Sequence, residues 1–432
     1  MTSVSSTLAR LANSIFRGNG KGLVSAATWQ IANYAVPLLT FPYLGRVLGV
    51  EGFGAMGFAA AVAAYAGLIA DWGFSLSATQ SASENRHDRA YLNRLVWSVT
   101  AAKVVLGVVA AMLIVVALKL WGASASTNNA IYAGLAIACI GACNIEWLLR
   151  GLEKLKLFAT ISVASRVATV PLTYIFVTKK TDIVLAVIIS GAGSAISLLI
   201  GLFCCIRMGI INTPQTSFGD VALRIKDGFH LFLSQLSVNI YTTSLTVILG
   251  FFSSAYQVGL FSGADKLRRP ALAVFSPTQM VFFPRISYLA KAEPEKAKRL
   301  ALRILVVQAV GSAVVSALLA LLAPFLVTIL LGAEFADAVP VLRVLSLLVF
   351  LIGCSSVLGL IIMLPFDLKR EFNNCVLIGA VVGVGAAVPL SIEAGAFGLA
   401  WAAVAAEFAV AISMFVVLSI RFSWISDLWR RK

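Results

Sequence analysis

Charge is what this 432-residue chain has least of: Asp, Glu, Lys and Arg together make up 12% of it. A soluble domain carries roughly 25% charged residues, so a surface of this size cannot be dressed for water. With 60% hydrophobic residues and a mean hydropathy of +0.94, the solvent must be lipid. In hydrocarbon every backbone polar group needs an internal partner, which admits only helices and closed barrels. The apolar runs are far longer than the ~10-residue strands of a membrane barrel, so the spans are predicted to be helices.

Other scarcities exclude chemistry. There are two histidines, His87 and His230, and neither stands beside a nucleophile deep in a span, so no hydrolytic triad can be assembled. Six cysteines lie inside apolar runs with no C-x-x-C pair and no histidine at ligand spacing, which leaves metal chemistry without a ligand set. The segment RGNGKG lacks the earlier glycine and the Ser or Thr after Lys21 that a phosphate-cradling loop needs, so no ATPase site is expected. The first twenty residues hold no long apolar stretch, and a cleaved signal peptide is not expected.

What the chain does have is a positive balance of +15. A basic surplus is the usual footprint of a nucleic-acid binder, but here Lys and Arg sit in short clusters between apolar runs. That is the positive-inside pattern of a membrane protein, and nucleic acid is not expected as a partner. Twelve apolar stretches of spanning length can be placed, six between Gly22 and Cys205 and six between Phe229 and Ile420. With both termini in the cytoplasm, 24 Lys and Arg fall on the inside and 4 on the outside, which fixes the orientation and favours an even number of spans.

The polar stretch NTPQTSFGDVALRIKDG interrupts the chain near its midpoint, and Ser217 with Asp220 reads as a capping box opening a short amphipathic helix. The organisation expected is an N-terminal six-helix bundle (1–206), a cytoplasmic linker (207–228) and a C-terminal six-helix bundle (229–432). Two such halves would be parallel repeats, an arrangement that places a substrate site at their interface. A shift of 205 residues superposes Gln30 on Gln235, Gly45 on Gly250, Gly54 on Gly259 and Ala59 on Ala264, little more than so biased a composition gives by chance.

Charges inside spans are the informative minority, because each costs roughly 2.5 to 3.5 kcal/mol on insertion scales and is tolerated chiefly toward a bundle interior or a wet cavity. Arg166 falls near the middle of the fifth span. The eighth span, Tyr256 to Phe283, carries Asp265, Lys266, Arg268 and Arg269. Arg166, Lys266, Arg268 and Arg269 are read as a cationic lining that neutralises an anionic head group, guanidinium being suited to bidentate phosphate contact. The alternative is that Asp265 and nearby carboxylates simply pair with them. Glu407, midway along the last span, is read as a coupling carboxyl for H⁺ or Na⁺ or as half of a salt bridge. Glu146 is expected to pair with Arg150 four residues on, and Lys103 and Arg343 to snorkel to the membrane faces. Pro37, Pro42, Pro270, Pro277 and Pro284 mark hinges or static kinks. Trp97, Trp121, Trp147 and Trp424 read as interfacial anchors.

The stretch NYAVPLLTFPYLGRVLGVEGFGAMGF followed by DWGFSLSATQ resembles the N-terminal signature of the Wzx-type O-antigen and exopolysaccharide flippases, the polysaccharide transporters of the multidrug/oligosaccharidyl-lipid/polysaccharide exporter superfamily. LGAEFADAVPVLRVLS and FFPRIS resemble later patches of the same family. The resemblance implies an all-α polytopic membrane protein of twelve transmembrane helices, in two pseudo-symmetric six-helix bundles forming a V with alternating access to a central cationic cavity. It implies an undecaprenyl-diphosphate-linked oligosaccharide as cargo, carried across the bacterial inner membrane. No cofactor is implied beyond coupling to H⁺ or Na⁺. Membrane lipids, a polysaccharide polymerase and chain-length machinery are the expected partners. By motif, Arg46 joins the substrate-binding set and Asp71, with Glu407 and Asp265, the ion-coupling or gating set. The rival readings are a cation-coupled drug exporter, whose cationic cargo a basic cavity would repel, and a membrane-embedded polymerase or glycosyltransferase, for which no large polar loop is present.

Overall fold

The computed structural model describes residues 2–121 and 125–421, and all its secondary structure is helical. Trp424 falls outside the described residues, as does the side chain of Trp121. Among the described residues eight helical stretches are long and apolar enough to cross a membrane, judged by length and composition. Two of these change direction at a glycine with left-handed backbone. Gly49 (φ 68) lies inside α1 (Thr2–Asp71), and Gly395 (φ 53, ψ −128) inside α14 (Lys369–Arg421). Each falls in a gap between expected spans, the first and second in one case and the last two in the other.

The remaining breaks have local causes. The turn between α1 and α2 (Phe74–Glu84) has left-handed Trp72 and Gly73. Helix α3 is Arg89–Trp121. Asn144 separates α4 (Ala125–Ala142) from α5 (Glu146–Gly151), since its side-chain oxygen accepts the Glu146 amide at 3.2 Å. Helices α6 (Leu155–Phe176) and α7 (Ile183–Arg207) follow. The capping box forms as read: the Ser217 amide donates to Asp220 Oδ2 at 3.0 Å, and the Asp220 amide to Ser217 Oγ at 3.1 Å. The helix it opens is not short, because α8 runs on unbroken from Phe218–Thr242. Helix α9 is Ser244–Phe252. The single eighth span expected over Tyr256 to Phe283 is instead two helices, α10 (Ala255–Ala273) and α11 (Ser276–Ala292), divided where Pro277 takes up the first turn of α11. Helix α12 (Pro294–Leu326) runs into a π-helical turn (Val327–Leu331), and α13 (Ala338–Ser356) into another (Val357–Met363).

The chain gathers into two compact units, one of residues 1–41 and 62–235 and the other of residues 42–61 and 236–432. The line between them falls after Gln235, inside α8, and Pro42–Ala61 goes with the second unit. In the first unit α6 and α4 pack on α7, and α2 on α5, over a core that includes Phe74, Leu92, Leu95, Trp147, Leu148 and Phe158. Trp147 is therefore no interfacial anchor: it is 2% exposed and supports that core. In the second unit α13 packs on α10, α12 and α14, and Ile286, Ile304, Val357, Ile361, Val410 and Met414 form a core. There the later part of α1 meets α10 backbone to backbone. A side chain at Gly54 would overlap the Ala255 carbonyl, and one at Gly259 the Val50 carbonyl. Both glycines and both carbonyl residues are 205 positions apart, so the contact is reciprocal in the offset suggested by the sequence.

Candidate functional site

Within the second unit, helical spacing brings Asp265, Arg268 and Arg269 onto one face, since residues three and four apart are surface neighbours. Asp265 is buried and holds two arginines. Its Oδ1 accepts from Arg268 Nε at 3.0 Å and Nη2 at 2.5 Å, and its Oδ2 from Arg269 Nε at 2.7 Å. The two arginines differ in exposure: the side chain of Arg268 is 12% exposed and that of Arg269 is 65%. Arg268 Nη1 is buried and has no hydrogen-bond partner among the described residues. Lys266 points elsewhere, its ammonium 4.2 Å from the centroid of the Phe53 ring. Asp265, Lys266, Arg268 and Arg269 together carry a formal charge of +2.

Glu407 on α14 is buried, and Ser355 Oγ on α13 donates to its Oε1 at 2.5 Å. It makes no ion pair within 4.0 Å among the described residues. Even with Glu407 ionised the five groups keep a formal surplus of +1. Arg46 is exposed on α1, and its Nη2 donates to the Ile329 carbonyl in the π-helical turn, an acceptor that such turns leave out of the regular ladder.

The first unit contains a balanced site. Asp71, at the last position of α1, accepts from Ser75 Oγ at 2.6 Å and from the Ser75 amide at 3.3 Å, which closes the first turn of α2. Its other oxygen accepts from Lys103 Nζ at 3.0 Å. Lys103 on α3 is 4% exposed, so it does not snorkel as expected. It is the residue sequence reading missed, although Asp71 and Lys103 lie on consecutive expected spans and could have been compared in depth. Trp72, beside them, stacks on Phe232 at 4.1 Å and donates its indole N–H to the Ile225 carbonyl at 2.9 Å. The helix-face pair of Glu146 with Arg150 is also corrected. Glu146 opens α5 and accepts from Ser197 Oγ on α7 at 3.0 Å and from Asn144 Nδ2 at 3.2 Å, while Arg150 lies over the Phe158 ring at 5.3 Å. Arg166 is exposed on α6, and its guanidinium has no ion pair or hydrogen bond among the described residues. The structure thus groups Asp265, Arg268 and Arg269 through hydrogen bonds, and keeps Asp71 and Arg166 in the other unit.

Long apolar helices, broken at glycines and carrying ionisable groups on their packed faces, define a multi-pass membrane protein, and solved structures agree on the fold. An inward-facing multidrug-resistance MATE transporter of the MOP superfamily matches with a TM-score of 0.67 at 16% identity, over 94% of this chain and 99% of that one. The lipid II flippase MurJ in an inward closed conformation matches with a TM-score of 0.68 at 12% identity, over 92% and 87%. Among curated proteins, one from Escherichia coli (strain K12) named "Putative O-antigen transporter" is 32% identical over 372 residues, 86% of this chain and 89% of its own length. A protein of the same name from Shigella dysenteriae is 28% identical, over 85% and 92%. The family profile described as "Polysaccharide biosynthesis protein" matches residues 20–290. The chain belongs to this family, together with the O-antigen transporters it resembles, and is a transporter rather than an enzyme.

Proposed function

We propose that this protein flips an undecaprenyl-diphosphate-linked oligosaccharide, an O-antigen or exopolysaccharide repeat unit, from the cytoplasmic to the periplasmic leaflet of the bacterial inner membrane. The observation that carries the reading is the positive surplus on α10, with the buried Arg268 Nη1 donors left unanswered beside it. A diphosphate must shed water to cross the bilayer interior, and buried guanidinium groups replace that hydration. A cationic drug would meet repulsion at the same face. Asp265 then acts as the group that keeps two arginines aimed together, Arg269 as the accessible contact, and Arg166 and Arg46 as further positive positions along the route.

The proposed architecture is twelve passes in two pseudo-symmetric six-helix bundles with alternating access and both termini cytoplasmic. The breaks in helical backbone at Gly49 and Gly395, and the reciprocal contact of Gly54 and Gly259 at an offset of 205 residues, support it. Coupling to H⁺ or Na⁺ is assigned to Glu407, a buried carboxyl with one hydroxyl donor, with Asp71 as a gating position. The test is reconstitution in vesicles with a diphosphate-linked oligosaccharide whose leaflet is read by an external glycan-modifying reagent. Arg166→Ala and Arg269→Ala are each expected to slow translocation about tenfold, the loss of one charge-assisted contact. Full rates in both variants at normal protein levels would overturn the cationic route.

A further inference from the structure

Arg343 stands apart from the α10 cluster. It is the sixth residue of α13, about 8 Å along the helix from Ala338, and its side chain is exposed. Beside it opens a cleft of about 490 Å³ bounded by α12, α13 and α14. On α12 the floor is made by Ala313, Ala317 and Ala320, whose spacing puts them on one helix face. Leu347 and Phe350 line the α13 side, and Trp401, 44% exposed, stands at the α14 edge.

The polar chemistry of this cleft is nearly all committed. Ser316 Oγ donates to the Ser346 carbonyl at 2.8 Å, and Ser346 Oγ donates to the Arg343 carbonyl at 2.6 Å. Neither hydroxyl has a proton left for a ligand. The Arg343 guanidinium, in contrast, has no hydrogen bond, ion pair or ring contact among the described residues. Among mostly apolar lining residues, the partner that suits this cation is an anion from outside the chain. A sugar would find neither serine hydroxyl free to donate, and the ammonium of a zwitterionic head group would find no carboxylate, since the lining holds none. What fits is one phosphate with an apolar chain attached.

We propose that the cleft between α12 and α13 is a binding site for one anionic membrane phospholipid, its phosphate held by Arg343 and an acyl chain laid along Ala313, Ala317 and Ala320. The small side chains leave the trough that the chain fills, and Trp401 covers its edge with an aromatic ring of the kind that favours head groups.

The test is native mass spectrometry of the full chain, released from mixed micelles of equal phosphatidylglycerol and phosphatidylethanolamine. The wild type is expected to retain one phosphatidylglycerol about fivefold over phosphatidylethanolamine, the preference one arginine near a membrane surface confers. Arg343→Ala is expected to abolish that preference, and Ala317→Trp to lose the bound lipid although Arg343 remains. Arg343→Gln provides a second variant of similar size should the alanine protein unfold. Equal retention of phosphatidylglycerol in the wild type and both Arg343 variants would overturn the proposal, as would retention unchanged by Ala317→Trp. Undecaprenyl diphosphate displacing phosphatidylglycerol one for one at lower concentration would also overturn it, by assigning the cleft to the cargo.

Discussion

Asp71 in the first unit and Asp265 in the second both hold cations between helices or along one helix, but their charge balance differs. Asp71 meets one lysine, Lys103, and its remaining capacity goes to Ser75, so the site closes on itself as a neutral pair. Asp265 meets two arginines on its own helix, with Lys266 beside it in sequence, and the positive surplus stays. A neutral buried pair can be replaced by apolar groups at little cost, whereas removing one partner of a pair leaves an uncompensated charge. The comparison teaches that depth in a span marks charges worth examining, while the local balance separates a strut from a binding surface.

The largest effect is expected from Asp265→Ala. It strands Arg268, 12% exposed, with no carboxylate, a change that costs about 3–5 kcal/mol in buried pairs. Thermal unfolding of the purified protein should show a large fall in midpoint. A midpoint within a degree of wild type would mean that Asp265 does not hold the cluster together.

Next comes a double-mutant cycle on the balanced site. Lys103→Met and Asp71→Asn should each destabilise, and the double variant should recover most of the loss, with a coupling of about 1–3 kcal/mol. Additive losses would show the pair is not a closed unit. The sharpest contrast is functional: the Lys103→Met/Asp71→Asn protein, which lacks the proposed gating carboxylate, should still bind cargo in proportion to its folded amount. Arg269, 65% exposed, should behave oppositely. Arg269→Ala should leave stability nearly unchanged while translocation falls about tenfold, and Arg269→Lys, which keeps the charge but not the two-pronged donor, should fall only a few-fold.

The α10 cluster was legible because i+3 and i+4 spacing from Asp265 fixes its partners within one helix, whatever the rest of the fold does. The same spacing failed for Glu146 and Arg150. Asn144 starts the helix at Glu146, and a hydroxyl from Ser197 on another helix takes its carboxylate. Lys103 was misjudged because its distance to the membrane face was counted along its own span, whereas its partner lies on a different helix. Trp147 was placed at an interface by its position near a span end, but α5 packs beneath α2 and the indole goes into that contact. Pairings inside a helix could be read from the sequence where no group on another helix competed for them; pairings between helices required the packing.

The smallest effect concerns the junction that the sequence described best, the capping box at the start of α8. The Asp220 carboxylate is held below its ordinary range, chiefly by the Ser217 amide and then by the Ser217 hydroxyl. A folded-state pKa below the unfolded one means that the cap is fully effective above the ordinary aspartate range and is lost as pH falls through the lowered value. Hydrogen exchange at the Ser217 and Asp220 amides should therefore stay protected at neutral pH and lose protection on acidification. In Asp220→Asn the neutral amide can still accept from Ser217, so the protection should become independent of pH over the same interval. A pH profile in Asp220→Asn identical to wild type would mean that the acid sensitivity of this junction arises from the α8 charges Arg224 and Asp227, which face each other at 4.0 Å, and not from the cap.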